Sequence, residues 1–113
     1  MANEATIKFL TDKITALQLI TQELGRVFLG SSDLKKADAV RSEITSINQL
    51  LFALESARNN VEGTEDEVPP PTADRIQKLG IALQRLDGFV SGAQDVDATI
   101  SLLTSLANAI RTS

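Results

Sequence analysis

Residues 62–77 read EGTEDEVPPPTADRIQ, and this stretch decides the architecture. Four acids, Glu62, Glu65, Asp66 and Glu67, precede Pro69, Pro70 and Pro71. Proline lacks an amide donor and holds φ near the polyproline value, so the chain runs extended there. Acids just beyond a helix C-terminus oppose its dipole and discourage continuation. Thr72 then offers an N-cap, with Asp74 in the first turn that follows. The stretch therefore reads as a linker between two helical segments.

On its N-terminal side, Ile7, Leu10, Ile14, Leu17, Thr21, Leu24 and Phe28 recur at steps of three and four, widened by Phe9, Ile20 and Val27. This spacing predicts an amphipathic helix over residues 4–29. Gly30 to Asp33 (GSSD) reads as a tight turn, with Gly ending one helix and Ser or Asp capping the next. Ala37, Val40, Ile44, Ile47, Leu51 and Leu54, with Leu50 and Phe52 beside them, predict a second helix over 33–60. It should fade at Asn59 and Asn60, which favour termination.

Beyond the linker, Ile76, Leu79, Leu83, Leu86 and Val90 form a third stripe. Val96, Ile100, Leu103, Leu106, Ala107 and Ile110 form a fourth, after a second Gly-containing turn at 91–95. The expected fold is all-α: a single four-helix domain spanning 1–113. It would comprise two antiparallel helical hairpins, 4–60 and 73–111, joined by the acidic and proline-rich linker 61–72. Twelve extended residues span roughly 37–40 Å, long enough to cross the bundle or to lie slack at one end. Up-down-up-down order is the expectation, because sequential elements usually lie adjacent.

A shift of 62 residues lays 12–34 over 74–96 with seven identities in 23 positions, among them Gly30/Gly92 and Asp33/Asp95. Chance agreement between amphipathic helices and an internal repeat both account for the apolar matches. Helical periodicity alone does not require the paired turn residues.

Composition restricts the chemistry. Seven basic and seven acidic side chains balance over 1–61, as do four and four over 68–113, so the net charge of −4 sits in the linker acids. No basic field is available to neutralise phosphates, and with four Phe and neither Trp nor Tyr there are few platforms for bases; nucleic-acid binding is not expected. The chain has no His and no Cys, which removes the usual zinc sites, haem ligation, His-dependent triads and ferritin-like di-iron centres. No metal or cofactor is expected.

Asp95-Val96-Asp97 lacks the later ligands of a calcium loop, and Gly88 to Gly92 matches G-x-x-x-G outside any apolar span. The prolines do not complete P-x-x-P, since Thr72 stands three residues after Pro69. Glu23, Asp38, Glu43 and Glu55 fall on polar faces as solvated charge, and a non-enzymatic protein is expected. No apolar run approaches the roughly 20 residues of a membrane span, and MANEATIKFL lacks the pattern of a secretion signal. The expected location is the cytoplasm, with export by a signal-less route left open.

The fourth helix is unusual. From Ala98 through Ile110 it carries no charge. Opposite its core stripe stand Ser101, Thr104, Ser105 and Asn108, with Ala98, Leu102 and Ala109 on the flank. Charge-depleted faces of small side chains suit close helix approach, so these seven residues form the candidate protein interface. The expected partner is protein, with a homodimer first. The functional expectation is a non-catalytic interaction or assembly protein acting through helix surfaces. The alternative is a carrier of an apolar small molecule in the bundle interior, motivated by Phe9, Leu19 and Ile20 on the wide arc of the first helix.

Overall fold

The computed structural model describes the backbone of residues 3–30, 34–90 and 96–113, and the side chains in those spans except at 28–30, 36, 89–90 and 96–97. Four α-helices account for nearly all of it: α1 (Glu4–Gly30), α2 (Leu34–Glu62), α3 (Ala73–Val90) and α4 (Val96–Thr112). No strand occurs among the described residues. Residues 31–33 and 91–95, which carry the two predicted turns, and the side chains of the core positions Phe28, Val90 and Val96 lie outside what is described.

The fold is an all-α four-helix bundle. Contacts at one end fix the helix directions. The Asn3 Nδ2 donates to the Asp66 carbonyl at 2.9 Å, and the Val68 amide donates back to Asn3 Oδ1 at 2.9 Å. Thr6 Oγ1 donates to the Pro69 carbonyl at 3.3 Å, and Arg75 at the start of α3 stands over Phe9. Arg75 Nη2 also reaches the main-chain oxygen of Ser113, which follows α4. The start of α1, the segment leaving α2, the start of α3 and the end of α4 thus share one end, the arrangement that alternating up and down order requires. The linker stays at this end and does not run the length of the bundle.

One expectation needs correction. Sequential elements were expected to lie side by side, yet among the described residues α2 and α3 do not pack against each other. The linker passes the first turns of α1 and delivers α3 to its far side. In cross-section α1 and α4 form the central pair. Each touches all three other helices, while α2 leans mainly on α1 and α3 mainly on α4. Burial follows this layout. Leu17, Ile20, Leu24, Leu103, Leu106 and Ile110 of the central pair are fully enclosed. The flanking helices bury narrow stripes, Val40, Ile47 and Leu51 on α2 and Leu79, Ala82 and Leu86 on α3. Phe52 and Ile76, expected beside or within the core, are 74% and 49% exposed, since none of the described residues covers the outer flanks of α2 and α3. The layout is also not two-fold symmetric about the 62-residue shift: α1 packs on α4, whereas its counterpart α3 does not pack on α2.

Helix α2 passes the two asparagines and ends at Glu62, so the linker begins at Gly63 instead of residue 61. The Gly63 amide still reaches the Asn59 carbonyl at 2.9 Å, and Val61 in the last turn is half-buried, which offsets the weak propensity of Asn. At the other side of the linker Thr72 caps α3 as the sequence implies: the Arg75 amide donates to its Oγ1 at 3.2 Å, with Asp74 in the first turn.

Candidate functional site

Helix α4 is short and strongly two-sided. Its inner face, Thr99, Leu103, Leu106, Ala107 and Ile110, is buried, with Ile100 half-buried. The seven residues of the predicted interface divide. Ala98, Ser101, Ser105 and Asn108 are exposed, whereas Leu102, Thr104 and Ala109 are half-buried, with Leu102 and Ala109 packed against the core. The open part is therefore narrower than the sequence suggested. It continues one step further to exposed Thr112, whose hydroxyl donates to the Asn108 carbonyl at 3.0 Å. Ala98, Ser101, Ser105, Asn108 and Thr112 follow steps of three and four, so they form one line along the helix. Arg111 lies off this line and reaches sideways to Ser46 Oγ on α2 at 3.3 Å.

The wide apolar arc of α1 is occupied by the chain itself. Phe9 and Ile20 are buried in the core, while half-buried Leu19 lines a surface groove between α1 and α3. Asp12, Thr15 and Ala16 join Leu19 on one wall of this groove, and Leu83, Leu86 and Asp87 form the other, around a volume of about 290 Å³. The groove is open to solvent and separate from the packed centre. A second hollow of about 560 Å³ lies along the polar face of α2, lined by Asp38, Arg41, Ser42, Thr45, Ser46 and Gln49.

Several charged residues are held by neighbours on the same helix: Lys8 with Asp12 at 2.6 Å, Arg26 with Glu23 at 3.1 Å and Lys78 with Asp74 at 3.2 Å. Glu43 departs from the solvated role read from its position, because its Oε1 is buried without a hydrogen-bond partner. The sequence also gave no warning of the cluster around Phe9. Lys13 is only 5% exposed, and its Nζ reaches the Ser113 main-chain oxygen at 3.2 Å. Burial, and then the nearby charge of Arg75, lowers the Lys13 pKa from its ordinary value. The one available signal was Phe9 and Lys13 at a four-residue spacing, which places them together on a helix face.

Among the described residues no group of three or more acidic, His or Cys side chains is placed to hold a metal ion. No helix among them is long and apolar enough to cross a membrane. No family model, curated protein or solved structure matches the chain.

Proposed function

We propose that this chain is a non-catalytic helical assembly protein that associates with a second copy through the outer face of α4. The observation that supports the reading is the exposed, uncharged line Ala98, Ser101, Ser105, Asn108 and Thr112 on a helix whose opposite face is buried. Burying this face desolvates no ionic group, and its hydroxyl and amide groups can pair with one another across the contact. Their small size lets two helix axes approach to roughly 8–10 Å. The same face on each copy would form an isologous contact that closes at two chains. Half-buried Leu102 and Ala109 at its margin would add apolar area at the rim of the contact.

Replacing Ser105 with Glu puts a charge in the middle of the line without touching the core. Measured by sedimentation equilibrium at high salt, where exposed ion pairs are screened, the wild-type chain should form a dimer that Ser105→Glu disrupts. A wild-type chain that remains single, or a dimer of undiminished affinity in the variant, rejects this face as the contact.

A further inference from the structure

The groove between α1 and α3 and the outer face of α3 complement one another. Within the groove the middle is apolar, formed by Ala16, Leu19, Leu83 and Leu86. Its ends are acidic. Since α1 and α3 run the same way, Asp12 stands toward the start of the groove and Asp87 toward its far end. Asp12 is held by Lys8 at 2.6 Å in an exposed same-helix pair, whereas no ion pair among the described residues engages Asp87.

The outer face of α3 has the opposite pattern. Lys78, Ile81 and Arg85 fall within about 60° of one another around the helix, so they make a single ridge. Ile81 is 51% exposed and points away from the buried line of Leu79, Ala82 and Leu86. The ridge has a cation at each end, Lys78 in an exposed pair with Asp74 at 3.2 Å, and a branched apolar side chain between them; exposed same-helix pairs contribute little and exchange readily for a new partner. Lys78 to Arg85 covers about 10 Å of helix, as does the α1 wall from Asp12 to Leu19. A cation–apolar–cation ridge thus meets an acid–apolar–acid groove in the same order.

We propose that the groove receives the α3 ridge of another copy, with Ile81 entering between Leu19 and Leu83 while Lys78 and Arg85 meet the two aspartates. Ridge and groove lie on opposite sides of α3, so one copy uses both at once. The contact is heterologous and adds copies head to tail, in contrast to the symmetric α4 contact, which closes at two. Salt weakens it, because the end pairs are exposed to solvent.

The test uses Ser105→Glu as background, so that association through α4 is removed. In sedimentation velocity over a wide concentration range, this chain should still grow beyond two copies. Adding Ile81→Glu, which spoils the ridge, or Asp87→Arg, which spoils the groove, should leave single chains. Both positions are exposed, and unchanged helical circular dichroism verifies folding; Arg85→Glu serves as a second ridge variant. An equimolar mixture of the ridge and groove variants retains one good ridge and one good groove, so it should form a two-chain species and nothing larger. A Ser105→Glu chain that is single at every concentration overturns the proposal. So does growth that the ridge and groove variants leave unchanged, or a mixture that fails to combine. If Ser105→Glu alters nothing while the groove variants abolish assembly, the α4 reading falls and the groove stands.

Discussion

Lys13 and Arg75 approach one aromatic ring from two helices. The Lys13 ammonium stands 5.4 Å, and the Arg75 guanidinium carbon 5.0 Å, from the centroid of Phe9. Both also reach the main-chain oxygen of Ser113, at 3.2 and 3.5 Å. Two like charges are thereby held together where α1, α3 and the end of α4 converge. Each cation over the ring contributes about 0.5–1 kcal/mol at such a site. This attraction offsets part of the repulsion and part of the cost of withdrawing Lys13 from water.

That cost makes stability depend on alkaline pH. Desolvation, and then Arg75, lowers the native pKa of Lys13 from 10.5. Below the lowered value Lys13 is charged in both states, and the folded chain bears the full desolvation penalty. Between that value and 10.5 the unfolded chain binds more protons, so the Lys13 contribution to stability rises with pH. Urea unfolding of wild type and Lys13→Met should show their stability difference moving in favour of wild type as pH rises toward 10.5. A difference independent of pH would remove the buried-cation account.

The central position of α1 and α4 sets a second expectation. Leu106 is completely enclosed, so Leu106→Ala should cost about 2–5 kcal/mol through lost transfer and an unfilled cavity. Phe52 is larger but 74% exposed, and Phe52→Ala should change stability by no more than about 0.5 kcal/mol. Denaturant titration of both variants decides the matter. Equal losses would mean that α2 is covered on its outer flank and that the cross-section drawn above is wrong.

Periodicity identified the helices because each one buries a face, and burial imposes the three-and-four spacing that the sequence displays. It could not say which helices would be central. Val40 and Leu106 look alike in their local patterns, and only the path of the linker decides that α4 becomes enclosed on its inner side while α2 stands at the margin. The positions of Phe52 and Ile76 were misjudged for this reason: a stripe indicates that a face is apolar, not that a neighbour covers it. On α4 the flank positions Leu102 and Ala109, grouped with the polar face in the sequence, lean against the core. The Thr72 cap was legible because it depends only on residues within one turn. The Lys13, Arg75 and Phe9 cluster was not, since it unites side chains from separate hairpins.

The linker is held by its main chain, and chiefly by one side chain. The Asn3 amide both donates to Asp66 and accepts from Val68, as a neighbouring strand would. Asn3→Ala removes both bonds, each contributing about 0.5–1.5 kcal/mol at most in this exposed setting. Hydrogen exchange at the Val68 amide should accelerate strongly, while amides in the middle of α1 and α4 keep their protection. An unchanged Val68 rate would show that the prolines, and not Asn3, fix the path of the linker.

Thr72 governs where α3 begins, and its effect should reach Phe9. The hydroxyl accepts from the Arg75 amide, and the Thr72 carbonyl accepts from Ile76 at 3.0 Å, so the first turn is organised around this residue. Thr72→Ala leaves that amide without its side-chain acceptor and should cost about 1 kcal/mol. Thr72→Ser keeps an acceptor oxygen and should cost little. Because Arg75 lies in the same turn, fraying also loosens its guanidinium from the ring. In Thr72→Ala the ring resonances of Phe9, followed by NMR, should shift along with the loss of protection at Arg75 and Ile76. If the alanine and serine variants are equally stable, or if Phe9 does not respond, then the first turn of α3 is held by packing alone and the cap has no part in placing Arg75.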